Sequence, residues 1–140
     1  MPTLTLKISR PQNAVGVATA LPYKAIAQAL TRLTALHLRK RPEVTAVMID
    51  ELPAGQWHIG GEPVQSSTVY LEISITQGTN TSAQKAAFIE AAFTELQQQI
   101  GQGAPLAPAS YVIVREVPAT DWGYGGQTQE SRRQTIAHSP

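Results

Sequence analysis

Cysteine is absent from the 140 residues. Disulfide frameworks and thiolate zinc sites are therefore excluded. His37, His58 and His138 are too scattered to suggest a metal motif. An excess of one charge is also missing. Eleven basic side chains stand against ten acidic ones, a formal net charge of +1. That balance offers no electrostatic basis for binding nucleic acid or an anionic membrane surface. No apolar run approaches the roughly 20 residues that span a bilayer. The chain does not open with a basic stretch followed by an apolar one, as a signal peptide does. A cytoplasmic protein without metal or cofactor is expected.

What is present is periodicity. Residues 3–9, TLTLKIS, alternate, with Leu4, Leu6 and Ile8 on one face, and read as a half-buried strand. From Pro22 to Arg41 the period becomes helical, with Ile26, Leu30, Leu33 and His37 spaced by 4, 3 and 4, and Ala29 and Leu36 beside them. Arg39, Lys40 and Arg41 suit the helix's negative end as a solvated basic triplet, and Pro42 stops it. Val44–Leu52 is rich in β-branched residues and reads as a second strand.

The pattern then restarts. Val69, Leu71, Ile73 and Ile75 alternate, and Thr81 with Gln84 has the spacing of a capping box. Ile89, Phe93, Leu96 and Ile100 repeat the helical spacing, Gly101 suits a C-cap, and Ala109–Val117 is a fourth strand. The stretches PAGQWHIGG at 53–61 and PATDWGYGG at 118–126 match at an offset of 65. The chain is thus an internal duplication of one strand–helix–strand unit.

Right-handed crossovers give each unit two parallel strands and a helix on one face. The expected fold is α/β (α+β): two tandem β-α-β units sharing a four-stranded mixed sheet, with both helices on one side. The first unit is expected over 1–65, the second over 66–127, and a tail over 128–140, where QTQESRRQTIAHSP carries little pattern. Met48, Ile113 and Tyr111 fall on the other sheet face. An uncovered face of that kind needs a partner, so a homo-oligomer with packed sheets is expected.

The opening MPTLTLKI, the doubled unit, and the stretches IDELPAGQWHIGGE and IVREVPATDWGYGGQT resemble the tautomerase superfamily, typified by 4-oxalocrotonate tautomerase. The resemblance spans roughly residues 2–127. Short members carry one unit per chain, so this chain is similar to a fused pair, and a hexamer of short chains becomes a trimer here. The resemblance implies that Pro2 is the catalytic group once Met1 is removed. A free prolyl amine in an apolar pocket near cations has a lowered pKa and acts as a general base near neutral pH. It would move a proton between carbon and oxygen of a small 2-hydroxydienoate or enolpyruvate-like carboxylate. Val69 occupies the matching place in the second unit, so one active site per chain is expected.

The family uses one arginine after the first strand and one on the strand before the hairpin. This sequence departs from that pattern, with Ala46 and Tyr111 at the strand position. Arg115, four residues on from Tyr111, and Arg10, one residue from the expected place, are the candidate substrate cations. Trp122 matches the hairpin aromatic that covers the proline, Tyr111 is a candidate donor to an enolate oxygen, and Trp57 and His58 read as structural or surface residues. Two alternatives stand beside the tautomerase. One is a dehalogenase or decarboxylase of small unsaturated acids, weakened because SITQGTN holds no arginine pair. The other is a non-enzymatic oligomeric binding module.

Overall fold

In the computed structural model, which describes residues 1–11 and 20–137, each apolar period becomes one element. The first unit comprises β1 (Thr3–Ser9), α1 (Tyr23–Leu38), β2 (Ala46–Glu51) and a hairpin of β3 (His58–Ile59) and β4 (Glu62–Pro63). The second comprises β5 (Thr68–Thr76), α2 (Ser82–Leu96), β6 (Tyr111–Val117) and a hairpin of β7 (Gly123–Tyr124) and β8 (Gln127–Thr128). A third helix, α3 (Gln129–Ala137), follows. Of the loop over 10–20, residues 12–19 lie outside the described residues.

The main sheet has the order β2-β1-β5-β6. β1 and β2 are parallel, β5 and β6 are parallel, and β1 and β5 are antiparallel. Leu4 pairs with Ile73, Leu6 with Leu71, and Thr5 with Glu72 at the centre. Because Leu4 and Leu6 correspond to Leu71 and Ile73 in the repeat, the two units meet about a pseudo-twofold axis through the Thr5–Glu72 pair. This is the self-complementary pairing of an isologous dimer, made covalent.

Leu4, Leu6, Ile8, Leu71, Ile73 and Ile75 are all at most 1% exposed under the two helices. The helical stripes match the expected ones at Ile26, Leu30, Leu96 and Ile100 and shift at the other positions, where Leu33 and Phe93 only border the core. The residues that face the sheet are Ile26, Leu30, Thr34 and Leu38 in α1, and Phe88, Ala92, Leu96 and Ile100 in the second helix and its extension. Leu36 is 60% exposed and Ile89 37%. A straight i, i+4 row tilts across a twisted sheet, and that row won over the 4, 3, 4 spacing. Thr34 joins the core because its hydroxyl donates to the Leu30 carbonyl at 2.7 Å, leaving no free polar atom.

The capping box at Thr81 forms in both directions with Gln84. The helix end differs from expectation: after Leu96 a π turn runs over Gln97–Gly101, and Gln102 rather than Gly101 takes the left-handed cap. α1 ends likewise on a left-handed non-glycine, Arg39 (φ 60), whose amide donates to Ala35 O. Pro42 opens a 3-10 turn.

The Gly-Gly pairs are explained by the hairpins. Gly60 and Gly61 have φ of 63 and 82, and Gly125 and Gly126 have 62 and 80. Two successive positive φ values define a type I′ turn, which matches strand twist and suits glycine. The repeated prolines open matching turns, Gln56 N to Pro53 O at 2.9 Å and Asp121 N to Pro118 O at 2.8 Å.

The far face of the sheet is open. Met48 is 53% and Tyr111 59% exposed. Among the described residues no helix is long and apolar enough to cross a membrane.

Candidate active site

A parallel β-α-β crossover returns the end of its helix to the level where its first strand began. Arg39–Arg41 must therefore lie beside the N-terminus. The antiparallel β1–β5 pairing adds a second constraint, since it brings the end of β5 and the hairpin after β6 to the same corner. Both consequences are seen. Ala46 N donates to Pro2 O at 3.2 Å, and Gln77 N to Val117 O at 2.9 Å.

These elements enclose a cleft of about 350 Å³. Met1 and Pro2 form its floor, Arg39, Lys40, Arg41 and Val44 come from the end of α1, and Thr76 and Thr79 from the end of β5. Tyr124 comes from the second hairpin, and Gln129, Arg132 and Arg133 from α3. Among the described residues, five lining side chains are cationic and none is a carboxylate. Arg41 is paired with Glu43 at 2.8 Å, and Arg133 loosely with Glu130 at 3.7 Å. The half-buried Lys40 donates to Thr79 Oγ1 at 2.8 Å. Burial lowers its pKa, against an opposing pull from Glu116.

The terminal amine of Met1 lies in this cleft. Its pKa is lowered from the ordinary value by burial first, then by the Lys40 and Arg41 charges. Desolvation and like charge both penalise the ammonium form. Arg39 adds a conformational cost. A left-handed non-glycine is unfavourable by about 1–2 kcal/mol, yet a cation is kept where glycine is usual.

The duplication supplies an internal comparison. In the second unit Val69 stands in the place of Pro2, fully buried, with its amide on Ser110 Oγ at 3.2 Å. The end of its helix reads Gln102, Gly103 and Ala104 instead of Arg39, Lys40 and Arg41. Ile59 stands where Tyr124 does, and the first hairpin is followed by buried Val64 and β5 rather than by a helix. Amine, cations, aromatic and capping helix are all confined to one corner.

Of the residues expected from sequence, only Pro2 lines this cleft. Arg115 lies on the open sheet face, bound to Glu72 at 2.8 Å. Arg10 lies at the other end of β1, roughly 25 Å along the strand from Pro2, and pairs with Glu51 at 2.9 Å. Tyr111 is exposed at the start of β6, at the level of Tyr70 and Lys7. Trp122 is half-buried with Nε1 unpartnered, and the hairpin aromatic in the cleft is Tyr124, two residues on. Trp57 and His58 border a separate recess with Thr5, Lys7, Tyr70 and Glu72. The basic triplet is solvated at Arg39 and Arg41, as read from sequence, and with half-buried Lys40 it also furnishes three cleft cations. The signal that locates it is topological: a crossover helix ends beside the start of its own first strand. A larger groove, about 580 Å³, follows the outer side of α1, but its lining holds no amine or carboxylate near an apolar wall that would serve as a proton carrier beyond Lys24.

No family model and no curated protein matches the sequence. Solved structures do. A wild-type fused 4-OT that forms an asymmetric trimer is 29% identical, with a TM-score of 0.73 over 91% of this chain and 98% of that one. A native fused 4-OT is 28% identical, with a TM-score of 0.70 over 91% and 97%. A member of the cis-3-chloroacrylic acid dehalogenase family shares the fold at 19% identity and a TM-score of 0.69, over 97% and 92%. A doubled β-α-β unit, matched over almost its whole length by fused proteins of the same build, makes this chain a member of the tautomerase superfamily, of the fused 4-oxalocrotonate tautomerase-like kind.

Proposed function

We propose that the chain is a tautomerase in which Pro2, freed by removal of Met1, is the general base. The observation that carries this reading is the amine in the cleft, its pKa held down by burial, Lys40 and Arg41. A prolyl nitrogen one residue along would meet the same surroundings. An ordinary α-amino group titrates at about 7.7–8.0, so a lowered value leaves the neutral amine abundant at neutral pH.

The substrate is a small enol carboxylate. The neutral amine takes the enol hydroxyl proton, the electron pair becomes the carbonyl, and the resulting ammonium returns a proton to carbon. Arg39, Lys40 and Arg41 hold the carboxylate and the developing oxyanion through charge-assisted bonds. Arg115, Arg10, Tyr111 and Trp122 would join such a site from a neighbouring copy, since none lines the cleft of its own chain. A trimer with sheets facing inward is the assembly that would do so. The open face bearing Met48, Ile113 and Tyr111 supports it, as do the trimers formed by two fused 4-OT neighbours. A light-scattering mass of three times 15.0 kDa is expected.

The test is ketonisation of phenylenolpyruvate. Cell-purified protein lacking Met1 by mass spectrometry is expected to catalyse it, and Pro2→Ala to lose at least about 100-fold in kcat/KM, the scale of a general base. Retained Met1, or an active Pro2→Ala, would overturn the reading and favour the binding module. Halide release from 3-chloroacrylate would favour the dehalogenase.

A further inference from the structure

α3 has no counterpart in the first unit, and its sequence shows no apolar face that would recruit it to a core. It is held by polar contacts. Thr128 Oγ1 accepts from Ser131 N at 3.0 Å, in the manner of an N-cap, and the amides of Gln129 and Glu130 donate to the carbonyls of Trp122 and Ala119, both at 2.9 Å. The contact that joins it to the cleft is made by Arg132. Its guanidinium lies 3.8 Å from the centroid of the Tyr124 ring, and one Nη donates to the Tyr124 carbonyl at 2.9 Å. Its Nε is withdrawn from water and has no acceptor among the described residues. A buried donor without a partner is costly and calls for an occupant.

The hairpin is built around this side chain. A Cβ on Gly125 would come within 2.8 Å of the Arg132 Nη, whereas one on the matching Gly60 would meet nothing within 4 Å. Both glycines have the same φ, so only at Gly125 does the missing side chain also make room. The stack fixes the guanidinium plane, and the carbonyl bond fixes its rotation. A donor is thereby oriented at the rim of a cleft that, among the described residues, already holds four other cations and no carboxylate.

We propose that Arg132 is a specificity-determining residue: delivered by the C-terminal helix and set by Tyr124, it binds the carboxylate of the substrate and selects acids over their neutral counterparts. The proposal rests on the reading of this cleft as a substrate site, and its test is chosen to be independent of the proton-transfer step. Phenylpyruvate and its methyl ester are titrated calorimetrically into the full chain, as the unsubstituted protein and as Arg132→Met and Arg132→Gln, with Pro2→Ala run alongside. Two substitutions are made so that one that unfolds α3 by circular dichroism leaves the other to decide.

Loss of a charge-assisted bond weakens phenylpyruvate about tenfold or more, while the ester, lacking the anion, changes less than about twofold. In turnover of phenylenolpyruvate KM rises by the same factor and kcat moves less than about threefold. An acid affinity within about twofold of the unsubstituted protein, an equal loss for the ester, or no binding of phenylpyruvate at all overturns the proposal. Failure of the base reading shows separately, as turnover by Pro2→Ala, and leaves the binding comparison intact.

Discussion

Arg39 offers the sharpest test of why the cleft carries its cations. It adopts φ 60 at the end of α1, and Gln102 adopts φ 51 at the matching end of the second helix. The left-handed conformation costs a residue with a Cβ about 1–2 kcal/mol. Glycine avoids that cost but loses about 0.5–1 kcal/mol more chain entropy on folding. Gln102→Gly should therefore stabilise the protein by about 0.5–1 kcal/mol, or roughly 2–4 °C in Tm for a chain of this size. At Arg39 a second effect opposes the first. The cation at a helix C-terminus contributes about 0.3–1 kcal/mol, and Arg39→Gly forfeits it. The two nearly cancel, so Arg39→Gly should change stability by less than about 0.5 kcal/mol. Its activity should fall at least about tenfold in kcat/KM through the lost charge-assisted bond, while Gln102→Gly stays at the unsubstituted level. Paired thermal melts and phenylenolpyruvate kinetics read both quantities. Unchanged turnover in Arg39→Gly, or a loss above about 1.5 kcal/mol, would show that the arginine serves packing rather than the substrate.

The two hairpins give a similar comparison. Gly60→Ala and Gly125→Ala should lower Tm equally, both having φ near 62, but only Gly125→Ala should raise KM, because the added methyl meets the flexible end of Arg132. In the core, Phe88→Ala should cost about 3–5 kcal/mol in denaturant melts, whereas Ile89→Ala, at a 37% exposed position, should cost less than about 1. The pH profile carries a sign. The Met1 amine has a depressed folded pKa, so its stability contribution persists above the ordinary value of 8.0 and falls as pH drops through the lowered pKa. Activity from a freed Pro2 amine in the same corner should follow the same sign. Lys40→Met removes a charge that lowers that pKa, so the acid limb of kcat/KM should move to higher pH; an unmoved limb would sink the electrostatic account.

Alternation at Leu4, Leu6 and Ile8, repeated at Leu71, Ile73 and Ile75, was enough to read the strands, the duplication and the sheet from sequence, because those side chains have only one face to bury. The Thr81–Gln84 box and the Gly-Gly turns were equally plain, since each is decided by bonds or dihedrals within four residues. The helical stripes slipped in part because periodicity gives a spacing and packing selects the row. The cleft was legible only at Pro2. Arg39, Lys40 and Arg41 looked like any basic helix end, and Tyr124 and Arg132 carried no pattern.

Local chemistry is written in consecutive residues, so the sequence alone determined the elements and the doubled unit, and placed a proline at position 2. Which cations surround that proline depended on an antiparallel β1–β5 junction that brings residues 2, 39–41, 124 and 132 to one corner. Contacts across more than a hundred residues are set by how strands pair, and that pairing exists only in the folded sheet.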